Sequence, residues 1–434
     1  AYSVPRLEYF VERGYIGVLL DIRGTGSSEG LTNRMMRKQE WEDGYDAVEW
    51  IAKQDWCDGK IGMTGLSYPG YASYLVAARN PPHLKAVIPM YAGDDFVDDN
   101  FPGGNPRFGF RVMYNSMMTS LNASPPSMDS SGRWLEVWKE HLEDNVPWMI
   151  HFLEKQIDNE EHREGSVKYQ YDNYKIPTFI IGGWHDLFKN APLSIYSGLK
   201  PDVPKKLLMG PWMHIAPADA FPGPRIDHEY ECLRWWDYWL KGINTGIMEE
   251  PPITIFVRKY NEPKSKRKIE NGYWKTFTEL PKNTIQEECY YLNSDFSLNK
   301  KSNEENIGIN YEYKPSVGLN SLGTLTALGH NIGLPLDQKE DEAYSLSFTS
   351  NKLEKDLNVF GFPKVSLAIS STAEVSSFIV RLCDVAPDNT VSLVSRGSLN
   401  ATRRESKSKP TPLEKNKQYA ITFDLNAIAY VFEK

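Results

Sequence analysis

The stretch Gly65-Leu66-Ser67-Tyr68-Pro69-Gly70 decides how this sequence folds. Before it, Lys60-Ile61-Gly62-Met63-Thr64 reads as a short buried strand. After it, Tyr71-Ala72-Ser73-Tyr74-Leu75-Val76-Ala77-Ala78 reads as a helix. A serine flanked by glycines where a strand turns sharply into a helix is the arrangement of a nucleophile elbow. Small neighbours let strand and helix approach, and the helix N-terminus favours developing negative charge. The usual spacing is G-x-S-x-G. Here Pro69 stands two residues after Ser67 and Gly70 three after it; proline is well tolerated in a first helical turn.

Working outward, apolar residues at 7, 10 and 11 predict a helix end that Gly14 stops, and the run Tyr15 to Leu20 predicts a strand buried on both faces. The glycines that follow, at 24, 26 and 30, raise a dinucleotide-binding loop as a rival. That loop needs a helix opening at its third glycine, and the next periodic segment starts only near Glu40 and runs to about Lys53. A strand at 86–90 continues the alternation, which implies a parallel α/β sheet.

Residues 94–165 break the rhythm and read as an inserted, mostly helical cap. Its large apolar residues, among them Phe101, Phe108, Phe110, Met117, Trp134 and Trp148, are expected to supply an apolar acyl pocket over Ser67. The α/β pattern returns with a strand at 176–182, a helix at 191–199, a strand at 206–209, and a helix at 230–241 whose tryptophans 235, 236 and 239 read as core. From 251 onward, alternating runs predict an all-β domain, a sandwich. The expected organisation is an α/β core at 1–98 and 166–247, a cap at 99–165 and a β domain at 248–434.

A serine hydroxyl needs a base, and the base an orienting carboxylate. Ser67, Asp186 and His214 each follow a predicted strand, in the chain order of α/β-hydrolases, at the end of a parallel sheet where such folds place their sites. Ser67 Oγ is expected to face His214 Nε2, with Asp186 on Nδ1. His185, beside Asp186, reads as structural. The carboxylates Asp94, Asp95, Asp98 and Asp99, and His228 between Asp227 and Glu229, lack metal-motif spacing and read as solvated loops. So do the basic residues between Arg258 and Lys268, and those at 403–409.

Composition narrows the remaining classes. The 434 residues are 41% hydrophobic and 24% charged, ordinary for a globular chain, with net charge −8. That balance argues against nucleic acid or an anionic membrane as partner. No apolar run approaches the ~18 residues of a membrane helix. Cys57, Cys232, Cys289 and Cys383 are far apart and form no C-x-x-C, so they are expected to be free thiols in a reducing, cytoplasmic compartment. No cofactor and no metal is expected. The expected partner is a small ester or amide substrate, with homo-oligomerisation left open.

The chain resembles the CocE/NonD hydrolases, a group with cocaine esterase, X-Pro dipeptidyl-peptidases, α-amino-acid ester hydrolases and glutaryl acylases among its relatives. The resemblance rests on Arg13-Gly14-Tyr15, Asp21-x-Arg23-Gly24-x-x-x-Ser28-Glu29-Gly30, Trp56-Cys57-Asp58-Gly59-Lys60-Ile61-Gly62-Met63, Gly65-x-Ser67-Tyr68-x-Gly70, Gly183-Trp184-x-Asp186, Gly210-Pro211-Trp212-x-His214, Leu240-Lys241-Gly242 and Arg381-Leu382-x-Asp384-Val385. It implies an α/β-hydrolase core, a helical cap and a C-terminal jelly roll. It also implies that the Tyr68 N–H donates to the oxyanion, and that a second donor, a tyrosine hydroxyl, lies upstream of residue 1. Leu187 and Phe188 stand where α-amino-acid ester hydrolases carry acidic residues, which disfavours that specificity. The expectation is therefore a serine hydrolase of esterase or acylase type that belongs to a longer polypeptide. An X-Pro dipeptidyl-peptidase, or a binding protein without chemistry on the same fold, is the alternative.

Overall fold

A computed structural model describes residues 7–126, 129, 131–281, 284–303, 307–321 and 333–434. In chain order the first half gives α1 (Leu7–Val11), α2 (Lys38–Ile51), β1 (Ile61–Leu66), α3 (Tyr68–Ala77), β2 (Leu84–Met90), α4 (Phe96–Asn100), α5 (Phe108–Asn122), α6 (Trp134–Asp144), α7 (Trp148–Glu154) and α8 (Glu160–Glu164). Then come β3 (Thr178–Gly183), α9 (Ala191–Gly198), β4 (Lys205–Gly210), α10 (His228–Lys241), β5 (Ile253–Arg258) and β6 (Gly272–Phe277). The remainder holds β7 (Tyr291–Leu292), β8 (Leu298–Asn299), α11 (Lys339–Glu342), β9 (Leu357–Gly361), β10 (Lys364–Ile369), β11 (Ser377–Val385), β12 (Val391–Asn400), β13 (Tyr419–Asp424) and β14 (Ile428–Phe432).

The central sheet has the order β1-β2-β3-β4-β5-β14-β9, with β6 also pairing β5. Strands β1 to β5 are parallel, as the strand–helix alternation requires. Their residues alternate between two cores. Val87, Ile180, Leu207 and Met209 face one side, with Trp41 and Val48 of α2 and Tyr74 and Leu75 of α3. Ala86, Ile88, Met90, Phe179, Ile181 and Leu208 face the other, with Phe10 and Trp235 and Trp236 of α10. Burial on both faces explains why these strands read as continuous apolar runs.

Two expectations change. The run Tyr15 to Leu20 is not a buried strand. It forms no strand among the described residues, and Leu19 is 67% and Ile16 59% exposed. An apolar run becomes a strand only beside a pairing partner, and among the described residues β1, at the sheet's edge, pairs with β2 alone. Second, β5 opens the part read as all-β, yet it pairs in parallel with β4, and β14 and β9 extend the same sheet beyond it. The other C-terminal strands form antiparallel pairs, β10 with β13 and β11 with β12, around their own core of Ile369, Leu399, Ile421, Phe423 and Leu425. The structure is an α/β fold with a C-terminal β domain.

Candidate active site

Ser67 is the N-cap of α3 and adopts φ 70°, ψ −119°, a conformation that a residue with a Cβ rarely takes. What enforces it is packing. Ser67 N donates to Met90 O at 2.9 Å, while Tyr71 N already reaches back to Ser67 O at 3.0 Å, so the chain turns from strand to helix within one residue. A Cβ on Gly65 would fall 2.2 Å from Pro69 Cβ, and one on Gly70 would fall 2.9 Å from both Gly65 O and Met90 O. Only glycine fits at either position. The elbow at 65–70 is thus a steric requirement of this strand–helix contact.

The Tyr68 N–H is the first donor of α3 and has no acceptor among the described residues, as expected of a helix start. The Tyr68 side chain is held elsewhere. Its hydroxyl donates to Glu40 Oε2 at 2.7 Å, accepts from Met36 N at 3.2 Å, and its ring stacks on Trp148 at 5.8 Å. Burial raises the pKa of both Tyr68 and Glu40, which favours their protonated, neutral forms. The side chain anchors the elbow to α2 and leaves the amide free.

Asp186 and His214 come from the loops after β3 and β4, which are stitched together by Trp184 N to Gly210 O at 2.9 Å and His185 N to Trp212 O at 3.0 Å. This brings Asp186 Oδ2 to 2.5 Å from His214 Nδ1. The other carboxylate oxygen accepts from Phe188 N at 2.7 Å. Both side chains are almost wholly covered, His214 at 4% and Asp186 at 1% exposure. Phe188 and Tyr91 flank the imidazole, with ring centroids 5.8 and 5.7 Å away. Ser67 Oγ makes no hydrogen bond among the described residues, so the expected contact with His214 is not formed. In resting sites such contacts are often long and tighten with substrate.

His185 turns away from this cluster. Its Nε2 lies 3.1 Å from Glu270, a buried carboxylate that also accepts from Arg258 Nε at 2.8 Å and from Arg267. Burial, with two arginines already neutralising Glu270, lowers the histidine's pKa to about 3. Glu270 is held far below the usual carboxylate range. Arg258 and Arg267 are therefore not the solvated loop residues the sequence suggests: they hold this knot beneath the Asp186 loop.

The remaining sequence candidates are not solvated loops as read: Asp94, Asp95, Asp99, His228 and Glu229 are buried against structural partners. His228 Nδ1 lies 2.9 Å from Glu229, and Asp227 caps α10 through Tyr230 N. Asp95 pairs with Lys168 at 2.8 Å, Asp94 accepts from Tyr171 at 2.8 Å, and Asp99 accepts from the Tyr71 hydroxyl. No cluster of metal-ligating residues occurs among the described residues. Of the cap's apolar residues, Phe101, Phe110 and Trp148 are buried, whereas Phe108 and Trp134 are 47% and 43% exposed. Sequence reasoning missed Tyr91, Glu40 and Glu270, none of which lies in a motif, and took Phe188 as a specificity position without seeing that its ring flanks His214. Tyr91 and Phe188 could have been found as the residues that follow β2 and the triad aspartate.

The model for X-Pro dipeptidyl-peptidase (S15 family) matches residues 1–216, and that for the X-Pro dipeptidyl-peptidase C-terminal non-catalytic domain matches 245–434. The chain belongs to the S15 family. It is a serine hydrolase of the CocE/NonD type. It is 26% identical to a serine-esterase homologue from Mycobacterium tuberculosis, over 99% of this chain and 78% of that one. It is 24% identical to cocaine esterase from Rhodococcus, over 98% and 79%. Among solved structures, an α-amino acid ester hydrolase superposes with TM-score 0.73 at 22% identity, over 98% of this chain and 77% of that one. A CocE/NonD family hydrolase from Staphylococcus aureus superposes with TM-score 0.70 at 19% identity, over 95% and 69%. At these identities the superpositions speak for the fold alone.

Proposed function

We propose that this S15 hydrolase cleaves a carboxylic ester, or an activated amide, with Ser67 as nucleophile, His214 as general base and Asp186 as its orienting carboxylate. In the first step Ser67 Oγ bonds to the carbonyl carbon as its proton passes to His214 Nε2. The oxyanion accepts from the Tyr68 N–H. The leaving group takes the proton from His214 and departs, leaving an acyl-serine. Water repeats the sequence, releases the acid and restores the serine.

The observation that carries this reading is the 2.5 Å Asp186–His214 contact at the ends of β3 and β4, together with the positive-φ turn at Ser67 at the end of β1, on the same parallel sheet. Asp186 on Nδ1 leaves Nε2 as the proton acceptor. Cocaine esterase and the serine-esterase homologue support the ester reading. The S15 match supports the second reading, an X-Pro dipeptidyl-peptidase. Four unpaired thiols support a cytoplasmic setting. Turnover of p-nitrophenyl butyrate against an X-Pro p-nitroanilide separates the two readings. Ester turnover alone is expected, and a dominant rate on the anilide would replace the first reading by the second.

A further inference from the structure

Ser67 follows β1 and His214 follows β4, and no hydrogen bond joins their side chains among the described residues. Their separation is therefore set by what holds each of them. The end of β2, between the two, reaches both. Met90 O accepts from Ser67 N at 2.9 Å. The next residue, Tyr91, turns its ring onto His214, with centroids 5.7 Å apart and planes at 63°, an edge contact. Phe188 packs on the same imidazole at 5.8 Å and 56°.

Tyr91 occupies this place at a cost to stability. Its φ is 47°, in the left-handed region that a residue with a Cβ rarely adopts. Two hydrogen bonds pin the backbone there, Ser67 N to Met90 O before it and Tyr91 N to Ile181 O on β3, each at 2.9 Å. The side chain is 0% exposed, yet its hydroxyl has no hydrogen-bond partner among the described residues. Left-handed backbone and an unpaired buried hydroxyl are each unfavourable. The ring also lies along the Asp186 loop. A Cβ on Gly183 would fall 3.1 Å from Tyr91 Cε1 and 2.2 Å from Trp212 O, and Gly183 O accepts from Asp186 N at 3.1 Å. Burial, with the Asp186 charge adding to it, raises the pKa of the phenol well above its ordinary value, so Tyr91 stays neutral beside the triad. Strain retained at a buried residue that touches the base points to function.

We propose that Tyr91 is a positioning residue whose ring braces His214, so that Nε2 keeps its distance and angle to Ser67 Oγ through the reaction. The inference deepens the hydrolase reading and rests on it for the catalytic consequence. Asp186 holds the imidazole at Nδ1, 2.5 Å away, and an imidazole anchored at one nitrogen still pivots about that contact. Tyr91 and Phe188 block the pivot. The segment 90–91 thus locates the nucleophile through its backbone and the base through its side chain. A displacement of about 1 Å between reacting groups can cost about 10²-fold in rate.

The test compares Tyr91→Leu and Tyr91→Phe with wild type in the full chain. It reads p-nitrophenyl butyrate kinetics and the far-downfield proton NMR signal of the Asp186–His214 hydrogen bond. Tyr91→Leu should lower kcat by roughly 30–100-fold, with KM within about twofold because a wholly buried side chain does not meet substrate. Its downfield signal should broaden or vanish as the imidazole loosens. Tyr91→Phe keeps the ring, so it should retain the signal and kcat within about threefold, with a thermal midpoint no lower than wild type, since only an unpaired hydroxyl is removed. If Tyr91→Leu does not fold, Tyr91→Met, an adaptable side chain without a ring, takes its place with the same expectations. Unchanged kcat and signal in the ringless variant would overturn the brace, as would equal losses in Tyr91→Phe or a loss confined to KM. A wild-type signal that the ringless variant loses, in a protein that hydrolyses no ester, would refute the hydrolase reading and leave the brace standing.

Discussion

Nδ1 of His214 and Oδ2 of Asp186 stand 2.5 Å apart across the ends of two hydrogen-bonded parallel strands, β3 and β4. That contact fixes the imidazole's orientation and tautomer. Asp186→Asn would present an amide to Nδ1 and favour the wrong tautomer while preserving shape. The expected loss is about 10⁴-fold in kcat with an unchanged thermal midpoint. A loss below tenfold, measured on neutral esters, would remove Asp186 from the mechanism.

The knot around Glu270 predicts a stability effect separate from catalysis. Glu270→Gln would leave Arg258, 7% exposed, without its carboxylate. Breaking a buried pair in this way costs about 3–5 kcal/mol. His185→Gln should cost less, on the order of 1–3 kcal/mol, because Arg258 and Arg267 still neutralise the carboxylate. Urea denaturation of the two variants checks the order, and kcat of His185→Gln should stay within severalfold of wild type.

The same pair predicts the direction of acid sensitivity. The folded-state pKa of His185 is depressed to about 3, so the unfolded chain binds a proton there first. Its contribution to stability is complete above its unfolded pKa, about 6.5, and is lost progressively as pH falls from there toward 3. Glu270, depressed as well, adds loss in the same direction once pH falls below its unfolded value, about 4.5. Wild-type stability should therefore decline from pH 7 to pH 5, and His185→Gln should flatten that slope. An equal slope in both proteins would contradict the neutral, buried histidine.

Tyr68 offers a way to separate backbone from side chain. Tyr68→Phe keeps the amide that faces the proposed oxyanion but deprives buried Glu40 of its 2.7 Å donor. The variant should lose about 1–3 kcal/mol of stability while retaining kcat within an order of magnitude. A fall of about 10²–10³ in kcat without loss of stability would instead assign the catalytic role to the hydroxyl.

Much of this arrangement is legible in the sequence because it is local. The elbow is readable because Gly65 meets Pro69, and Gly70 meets Gly65, within six residues, although Gly70 also packs on Met90 of β2. The order Ser67, Asp186, His214 is readable because each residue follows its strand directly. What escapes is non-local. The apolar run at 15–20 signals burial, but pairing depends on a neighbour that local pattern does not encode. Arg258 and Arg267 look like a solvated basic run because their shared buried partner, Glu270, is brought to Arg258 by the pairing of β5 with β6, which sets Gly272 opposite Arg258.

The central claim is that Ser67 is the nucleophile, and fluorophosphonate labelling of the purified chain followed by peptide mass analysis tests it most directly. One covalent adduct is expected, on the peptide carrying Ser67. In Ser67→Ala the adduct should be absent and kcat lower by roughly 10⁴–10⁶-fold, the loss seen when a triad nucleophile is removed. An adduct on another residue, or labelling and turnover that survive in Ser67→Ala, would contradict it.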